Sequence, residues 1–174
     1  IATLFALGNS SDVFLILRAE HAGIPAMTIP AVYLMFNLSY ALAAIPAGMA
    51  ADRFGTGTIL LSGFILFFLL YCGFAVVNTV SGIWMLFGFY GIFMGLTEGI
   101  QKAFLATIIP QDFKATGFGI YSTCVGLATL PGNLIAGILW DHVSPAATVY
   151  FGAATAACSA LLFAALVIRS KGSS

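Results

Sequence analysis

The sequence has 174 residues, of which 61% are hydrophobic and 7% are charged, and its mean hydropathy is +1.07. An average soluble domain carries about 25% charged residues, so this chain lacks the polar surface of a soluble globule and is expected to lie in a membrane. Six basic and six acidic residues give a formal charge of zero, which excludes the basic footprint of a nucleic-acid-binding protein. Its three cysteines are widely spaced in apolar runs, and no disulfide framework, metal site or cofactor is expected.

Six apolar runs approach the roughly 20 residues that a helix needs to cross a bilayer core about 30 Å thick. They are Ile1–Leu17, Pro30–Ala50, Thr58–Val77, Ile83–Leu105, Phe118–Trp140 and Ala146–Ile168. The runs predict an all-α membrane protein in which residues 1–174 form a single six-helix bundle. Because the first run begins without a Met, a charged leader or a cleavage site, we expect a fragment that starts near the beginning of a helix.

The basic residues predict the orientation of the bundle. Six spans leave both chain ends on one side of the membrane, and five of the six basic residues fall on that side. These five are Arg53, Lys102, Lys114, Arg169 and Lys171, with Arg18 on the other side. Positive charge is concentrated in cytoplasmic connections, so both ends of the segment are expected in the cytoplasm, most simply at a bacterial inner membrane.

An internal similarity links the two halves of the sequence. Gly48 and Asp52 at the end of the second run correspond to Gly137 and Asp141 at the end of the fifth, with an offset of 89 residues. Many transporters are built from three-helix units repeated with inverted topology, and three spans per unit make the two copies point in opposite directions. The sequence therefore predicts two inverted three-helix repeats.

Two carboxylates fall inside predicted spans, where an ionisable group costs several kcal/mol and is expected to face a cavity or a partner. Asp12 follows the polar stretch Asn9, Ser10 and Ser11, and Arg18 is the nearest basic residue along its helix. Glu98 has Gln101 and Lys102 on the same helix face, so a structural ion pair with Lys102 is the alternative to a transport role. A carboxylate in a low-dielectric medium favours its protonated form, which is the property that a proton-coupled carrier needs.

Other polar side chains in the spans are candidates for the substrate or proton pathway, with hydrogen bonding between helices as the alternative for each. The candidates are Asn9, Asp12, Asn37, Tyr40, Glu98, Gln101 and Lys102. Gly91, Gly95 and Gly99 recur at four-residue spacing, which is typical of close helix packing. Pro131 and Gly132 within the fifth run predict a kink or a gating hinge.

One connection carries a recognisable loop signature. Gly48, Asp52, Arg53 and Gly55 join the second and third runs, where Gly48 would allow close helix contact and Gly55 a sharp reversal. Their pattern resembles the cytoplasmic loop signature of the major facilitator superfamily.

The resemblance extends over essentially the whole chain. The stretch from Leu7 to Ala19 resembles the first helix of the second half of such permeases, and segments 98–103 and 109–141 resemble its fourth and fifth helices. Family members have twelve spans in two six-helix bundles and transport by alternating access, so the resemblance implies a C-terminal half whose N-terminal partner is missing here. It also implies that the first and fourth spans, which carry Asp12 and Glu98, line the cavity.

We therefore expect a permease that moves a small organic solute, with protons as the coupling ion and no enzymatic activity. Alternatives are a drug efflux antiporter of the same family and a non-transporting six-helix assembly or anchoring subunit. A membrane-embedded hydrolase is disfavoured because both histidines fall in predicted connections. A primary pump is disfavoured because the sequence has no Walker A glycines.

Overall fold

A computed structural model describes the backbone of residues 1–9 and 12–171, with side chains as far as residue 167. Within these ranges all regular structure is helical. The helices are α1 (Ala2–Gly8), α2 (Asp12–His21), α3 (Ile29–Phe54), α4 (Thr56–Val76), α5 (Val80–Ile108), α6 (Lys114–His142) and α7 (Pro145–Lys171). Short 3-10 turns at Ala26–Thr28 and Gln111–Phe113 precede α3 and α6.

Five helices, α3 to α7, are long and apolar enough to cross a membrane. An integral membrane protein of apolar helices, as predicted, is therefore supported. The first predicted span differs, because it contains two shorter helices rather than one. Of the polar stretch that precedes Asp12 in that span, Ser10 and Ser11 lie outside the described residues.

The end of α1 lies in close contact with two neighbouring helices. Helix α1 stops at Gly8, and Asn9 has φ −77° and ψ 62°, outside the helical region. A Cβ atom on Gly132 of α6 would overlap the carbonyl oxygen of Leu7, and one on Gly152 of α7 would lie 2.8 Å from the carbonyl oxygen of Gly8. These glycines let α6 and α7 approach the backbone of α1 directly.

Consecutive long helices, from α3 to α7, alternate in direction between two ends of the bundle. The connections after α2, α4 and α6 lie at one end, here called the Asn78 end, and those after α3 and α5 lie at the other, here called the Gly55 end. Helix α3 packs mainly on α5, α4 packs on both α5 and α7, and α1 packs on α6 and α7. Gly55, at φ +88°, makes the abrupt turn from α3 into α4 that the sequence predicts.

An aromatic core joins α1, α4 and α5. The ring centroid of Phe5 lies 4.5 Å from that of Phe64 and 4.9 Å from that of Phe67. Phe67 in turn stacks on Tyr71 at 4.0 Å and contacts Phe93 at 4.9 Å. Such ring pairs stabilise a core by about 0.5–1.5 kcal/mol each beyond their burial, so this cluster fixes the three helices against one another.

Arg18, which is 3% exposed, fastens α2 to the end of α4. Its Nε donates to the carbonyl oxygen of Phe74 at 2.9 Å, and its Nη2 donates to the carbonyl oxygen of Val77 at 3.0 Å and to Oδ1 of Asn78 at 2.7 Å. The last carbonyls of a helix lack intrahelical donors and carry partial negative charge, which a guanidinium complements. The basic residue that the sequence assigns to the side opposite the chain ends is thus a buried cap.

Glycines of α5 allow the close packing of α3 on α5. A Cβ atom on Gly91 would overlap the carbonyl oxygen of Phe36 and lie 2.9 Å from the backbone nitrogen of Tyr40, whereas one on Gly95 would lie 2.8 Å from Cβ of Ala43. At Gly99 a Cβ atom would meet nothing within 4 Å. Two of the three glycines in the predicted stripe therefore serve helix packing.

Gly91→Ala is expected to lower the free energy of unfolding by about 1–3 kcal/mol, because the added methyl group would push against the backbone of α3. Thermal unfolding of the full-length protein in detergent measures the change. Gly99→Ala is the matched control and is expected to leave the unfolding midpoint unchanged or slightly raised. Equal destabilisation by both variants would contradict the packing role of Gly91.

Candidate functional site

The carboxylate of Asp12 lies at the start of α2 and accepts hydrogen bonds from two tyrosines. The hydroxyl of Tyr90 on α5 donates to Oδ1 at 3.0 Å, and that of Tyr33 on α3 donates to Oδ2 at 3.3 Å. A helix N-terminus favours a negative charge. Within the part of the chain that the structure describes, Asp12 is therefore stabilised by phenol hydroxyls and a helix terminus rather than by a cation.

Core packing fixes the position of Tyr90. Its ring is 2% exposed and stacks on Phe36 of α3 at 5.5 Å and on Phe93 of α5 at 5.4 Å. The apolar body of the side chain is thus held among aromatic rings while its hydroxyl reaches Asp12. A tyrosine suits this place because it combines an apolar ring with a polar tip.

Glu98 lies on α5 in a different setting. Its Oε2 accepts a hydrogen bond of 2.7 Å from the hydroxyl of Tyr40, and Nζ of Lys102 lies 3.7 Å from its Oε1. The side chains of Lys102 and Glu98 are 65% and 45% exposed, respectively. The ion pair that the sequence offers as the structural alternative for Glu98 is thus present, although it is long.

Three adjoining cavities run along α1 and α5. The outer cavity, of about 470 Å³, is lined by Asn9, Asp12, Tyr33, Tyr90 and Met94 among others. The middle cavity, of about 140 Å³, shares Asn9 and Met94 with the outer cavity and adds Glu98 and Gln101. The inner cavity, of about 180 Å³, lies toward the Gly55 end.

The inner cavity meets the middle cavity at Ala2, Gln101 and Tyr121, which line both. Four of the predicted pathway residues, Asn9, Asp12, Glu98 and Gln101, therefore line one continuous series of cavities. These four residues come together because α1 and α2 lie beside α5 in the bundle. Lys102 is linked to this series by its ion pair with Glu98.

The remaining predicted pathway residues contribute differently. Tyr40 reaches the site through its hydrogen bond to Glu98, and it also lines a separate groove of about 240 Å³ with Gly48 and Asp52. Asn37 is exposed, and its Nδ2 donates to the carbonyl oxygen of Tyr33 at 2.7 Å, within its own helix. Asn37 lines none of the three cavities.

The loop signature and the predicted hinge lie outside the three cavities. Asp52 and Arg53 are exposed, and the guanidinium of Arg53 lies 5.3 Å from the ring centroid of Phe54. The close helix contact expected at Gly48 is absent from the described residues, because a Cβ atom there would meet nothing within 4 Å. Helix α6 continues through Pro131 and Gly132, so a hinge at these residues stays a prediction.

Sequence reasoning missed two residues of the site, Tyr33 and Tyr90. They lie 21 and 78 positions from Asp12, so no helical spacing links them to it. The signal that could have found Tyr33 is its separation of seven residues, or two helical turns, from Tyr40. One face of α3 thus presents a phenol to each carboxylate.

Comparison with known proteins gives one family match over the whole chain. The model of the Major Facilitator Superfamily matches residues 1–174. An uncharacterized MFS-type transporter of Methanocaldococcus jannaschii is 38% identical over 168 residues, which cover 93% of this chain and 42% of that protein.

More distant relatives include an uncharacterized protein of Mycobacterium tuberculosis and the proton-coupled antiporter flippase LtaA of Staphylococcus saprophyticus. The first is 25% identical over 126 residues, covering 70% of this chain and 29% of that protein. The second is 24% identical over 96 residues, covering 55% of this chain and 24% of that protein. The chain spans less than half the length of these curated relatives.

Tyr90→Phe is expected to lower the free energy of unfolding by about 1.5–3 kcal/mol, because it removes a hydrogen bond to a charged group. In an Asp12→Leu background the same change is expected to cost less, giving a coupling energy of about 0.5–3 kcal/mol. Unfolding of the four proteins of this double-mutant cycle, each full length, measures the coupling. Tyr150→Phe, at a tyrosine that is 50% exposed on α7, is the control. Additive effects of Tyr90→Phe and Asp12→Leu would contradict the contact.

Proposed function

The chain belongs to the major facilitator superfamily, and we propose that it is the C-terminal half of a twelve-helix carrier that moves a small organic solute by alternating access. The family match over the whole chain supports this proposal, as does the 42% share that the chain covers of its relative from M. jannaschii. Half of a carrier of this kind requires a second bundle to close the cavities along α1 and α5.

The proposed half has six spans in two inverted repeats. Helices α1 and α2 together run from Ala2 to His21, which at 1.5 Å per residue is enough to cross the bilayer core as one broken span. Broken helices are tolerated at membrane depth where they lie within protein, and transporters use them at binding sites. The sequence similarity between Gly48 to Asp52 and Gly137 to Asp141 supports the repeat.

The proposed orientation has the Gly55 end in the cytoplasm. Five of the six basic residues in the sequence belong to that end, and cytoplasmic connections are enriched in Lys and Arg. Relatives come from bacteria and from an archaeon, so the proposed location is the inner, or plasma, membrane of a prokaryote. Both ends of the segment would then be cytoplasmic.

We propose that proton coupling acts through Asp12. The observation behind this proposal is that Asp12 has no cationic partner among the described residues. The ion pair between Lys102 and Glu98 is the one present among the described residues, and the side-chain hydrogen bonds of Asp12 within that part of the chain come from two tyrosine hydroxyls. A carboxylate within a membrane bundle becomes neutral either by pairing with a cation or by binding a proton. The similarity to a relative named as a proton-coupled antiporter is in keeping with this role.

Asp12→Asn in the full-length protein is expected to abolish solute accumulation driven by a pH gradient while preserving exchange of solute across the membrane. The amide mimics the protonated carboxyl, so the carrier can still change conformation with solute bound but can no longer release a proton. Reconstituted liposomes measure both activities, with a solute identified by ligand-dependent thermal shift of the intact protein.

Asp112→Asn, at an exposed residue between α5 and α6, is the matched control and is expected to accumulate solute normally. Accumulation by Asp12→Asn at the wild-type level would contradict the proposed coupling role. Absence of solute exchange by the wild-type protein, for every solute that shifts its unfolding temperature, would favour the non-transporting assembly.

A further inference from the structure

The two tyrosine hydroxyls that reach Asp12 bind its two carboxylate oxygens unequally. We infer that the coupling proton binds to Oδ2 of Asp12, and that Tyr33 is the positioning residue whose hydroxyl then changes from donor to acceptor, while Tyr90 continues to donate to Oδ1. This inference rests on the proposed proton-coupling function, and it names the oxygen atom and the helix contact through which that function acts.

The two hydrogen bonds differ in length. The hydroxyl of Tyr90 lies 3.0 Å from Oδ1, at the upper end of the range of about 2.5–3.0 Å for O–H···O bonds, whereas that of Tyr33 lies 3.3 Å from Oδ2, beyond this range. A longer bond is weaker, so Oδ2 is less stabilised by its donor than Oδ1 is. A proton that binds at Oδ2 therefore replaces the weaker of the two bonds.

The two tyrosine rings are also held differently. Tyr90 is 2% exposed and stacks on Phe36 and Phe93, and its ring centroid lies 6.5 Å from that of Phe67. Tyr33 is 37% exposed in this part of the carrier, and its ring packs at 5.2 Å on that of Phe36. The side chain of Tyr33 can therefore adjust without disturbing the core, whereas that of Tyr90 has a fixed place.

The count of donors and acceptors favours the same oxygen. A carboxylic acid presents an O–H donor at one oxygen, and the tyrosine beside that oxygen then serves best as its acceptor. If Tyr90 took this part, its own hydroxyl proton would turn away from Asp12 into the core, where a donor without an acceptor is costly. Both tyrosines line the outer cavity, but Tyr33 has the exposed surface from which its hydroxyl proton can turn toward water.

The step involves one proton and one new bond. A proton from the aqueous solution forms an O–H bond at Oδ2 and neutralises the carboxylate of Asp12. Tyr33 keeps its own proton, and its oxygen accepts the hydrogen bond from the new O–H group. The contact between α2 and α3 thus depends on the proton, whereas the contact between α2 and α5 through Tyr90 persists.

The nearest charged side chains of the same two helices have other partners. On α2, Arg18 donates its hydrogen bonds to the end of α4. On α5, Glu98 lies about two helical turns beyond Tyr90 and accepts a hydrogen bond from Tyr40. Among the described residues, the two tyrosine hydroxyls are therefore the side-chain groups that decide which oxygen of Asp12 holds the proton.

Infrared difference spectroscopy of the full-length protein in lipid tests the inference, with the proton itself as the probe. A spectrum at acid pH minus one at alkaline pH is recorded for each protein and for the same protein carrying Asp12→Asn, and the second difference is subtracted from the first. This double difference retains the bands that depend on the carboxyl group of Asp12. The wild type is expected to show a carboxyl C=O band and a shift in the C–O stretching band of one tyrosine.

Tyr33→Phe is expected to abolish the tyrosine band, because the hydroxyl that changes from donor to acceptor is gone, and to leave the carboxyl C=O band nearly in place. Tyr90→Phe is expected to retain the tyrosine band and to move the C=O band to higher wavenumber, because the carbonyl oxygen Oδ1 loses its donor. Tyr150→Phe, at a tyrosine of α7 that is 50% exposed, is the matched control and is expected to give the wild-type double difference.

A tyrosine band that survives Tyr33→Phe, or a C=O band that moves further in Tyr33→Phe than in Tyr90→Phe, would overturn the inference. Tyr33→Phe decides the matter by itself if Tyr90→Phe does not fold. A tyrosine band that Tyr33→Phe retains and Tyr90→Phe abolishes would overturn this inference alone, because Asp12 would still bind a proton. A wild type with no carboxyl band in the double difference would overturn both this inference and the proposed coupling role of Asp12.

Discussion

The constraint on which the arrangement depends is the early end of α1. Helix α1 stops at Gly8, where Gly132 and Gly152 allow α6 and α7 to pack against its backbone. In a bilayer, backbone groups released from a helix must be satisfied by protein, so such an end is tolerated only inside a bundle. The consequence is that a new helix begins at Asp12, with its carboxylate at the first turn and within reach of α3 and α5.

The two carboxylates that line the cavities have different interaction partners, which is why proton coupling is proposed for only one of them. Glu98 has a cation four residues away on its own helix, and both side chains are exposed, so the two resemble an ion pair at a protein surface. Asp12 is held by the hydroxyls of Tyr33 and Tyr90, which come from two other helices. A movement of α3 relative to α5 would therefore change the hydrogen bonding of Asp12, which would give the proposed proton site a physical link to conformation.

Features contained within one helix could be predicted from the sequence, whereas contacts between distant helices could not. Apolar length predicted α3 to α7, and four-residue spacing predicted the pair of Glu98 with Lys102, because both signals are contained in one helix. The end of α1 was missed, since Gly8 lies in an apolar run and its close contacts with α7 join residues that are far apart in the sequence. Tyr90 was missed for the same reason, because its hydroxyl meets Asp12 across 78 positions of sequence.

We propose that Asp12 exchanges a proton in step with the solute. This role is tested by the number of protons bound or released when solute is added to the purified full-length protein in weakly buffered detergent, read with a pH-sensitive dye. A solute-dependent proton change is expected in the wild type and none in Asp12→Asn. An equal proton change in both proteins would contradict it.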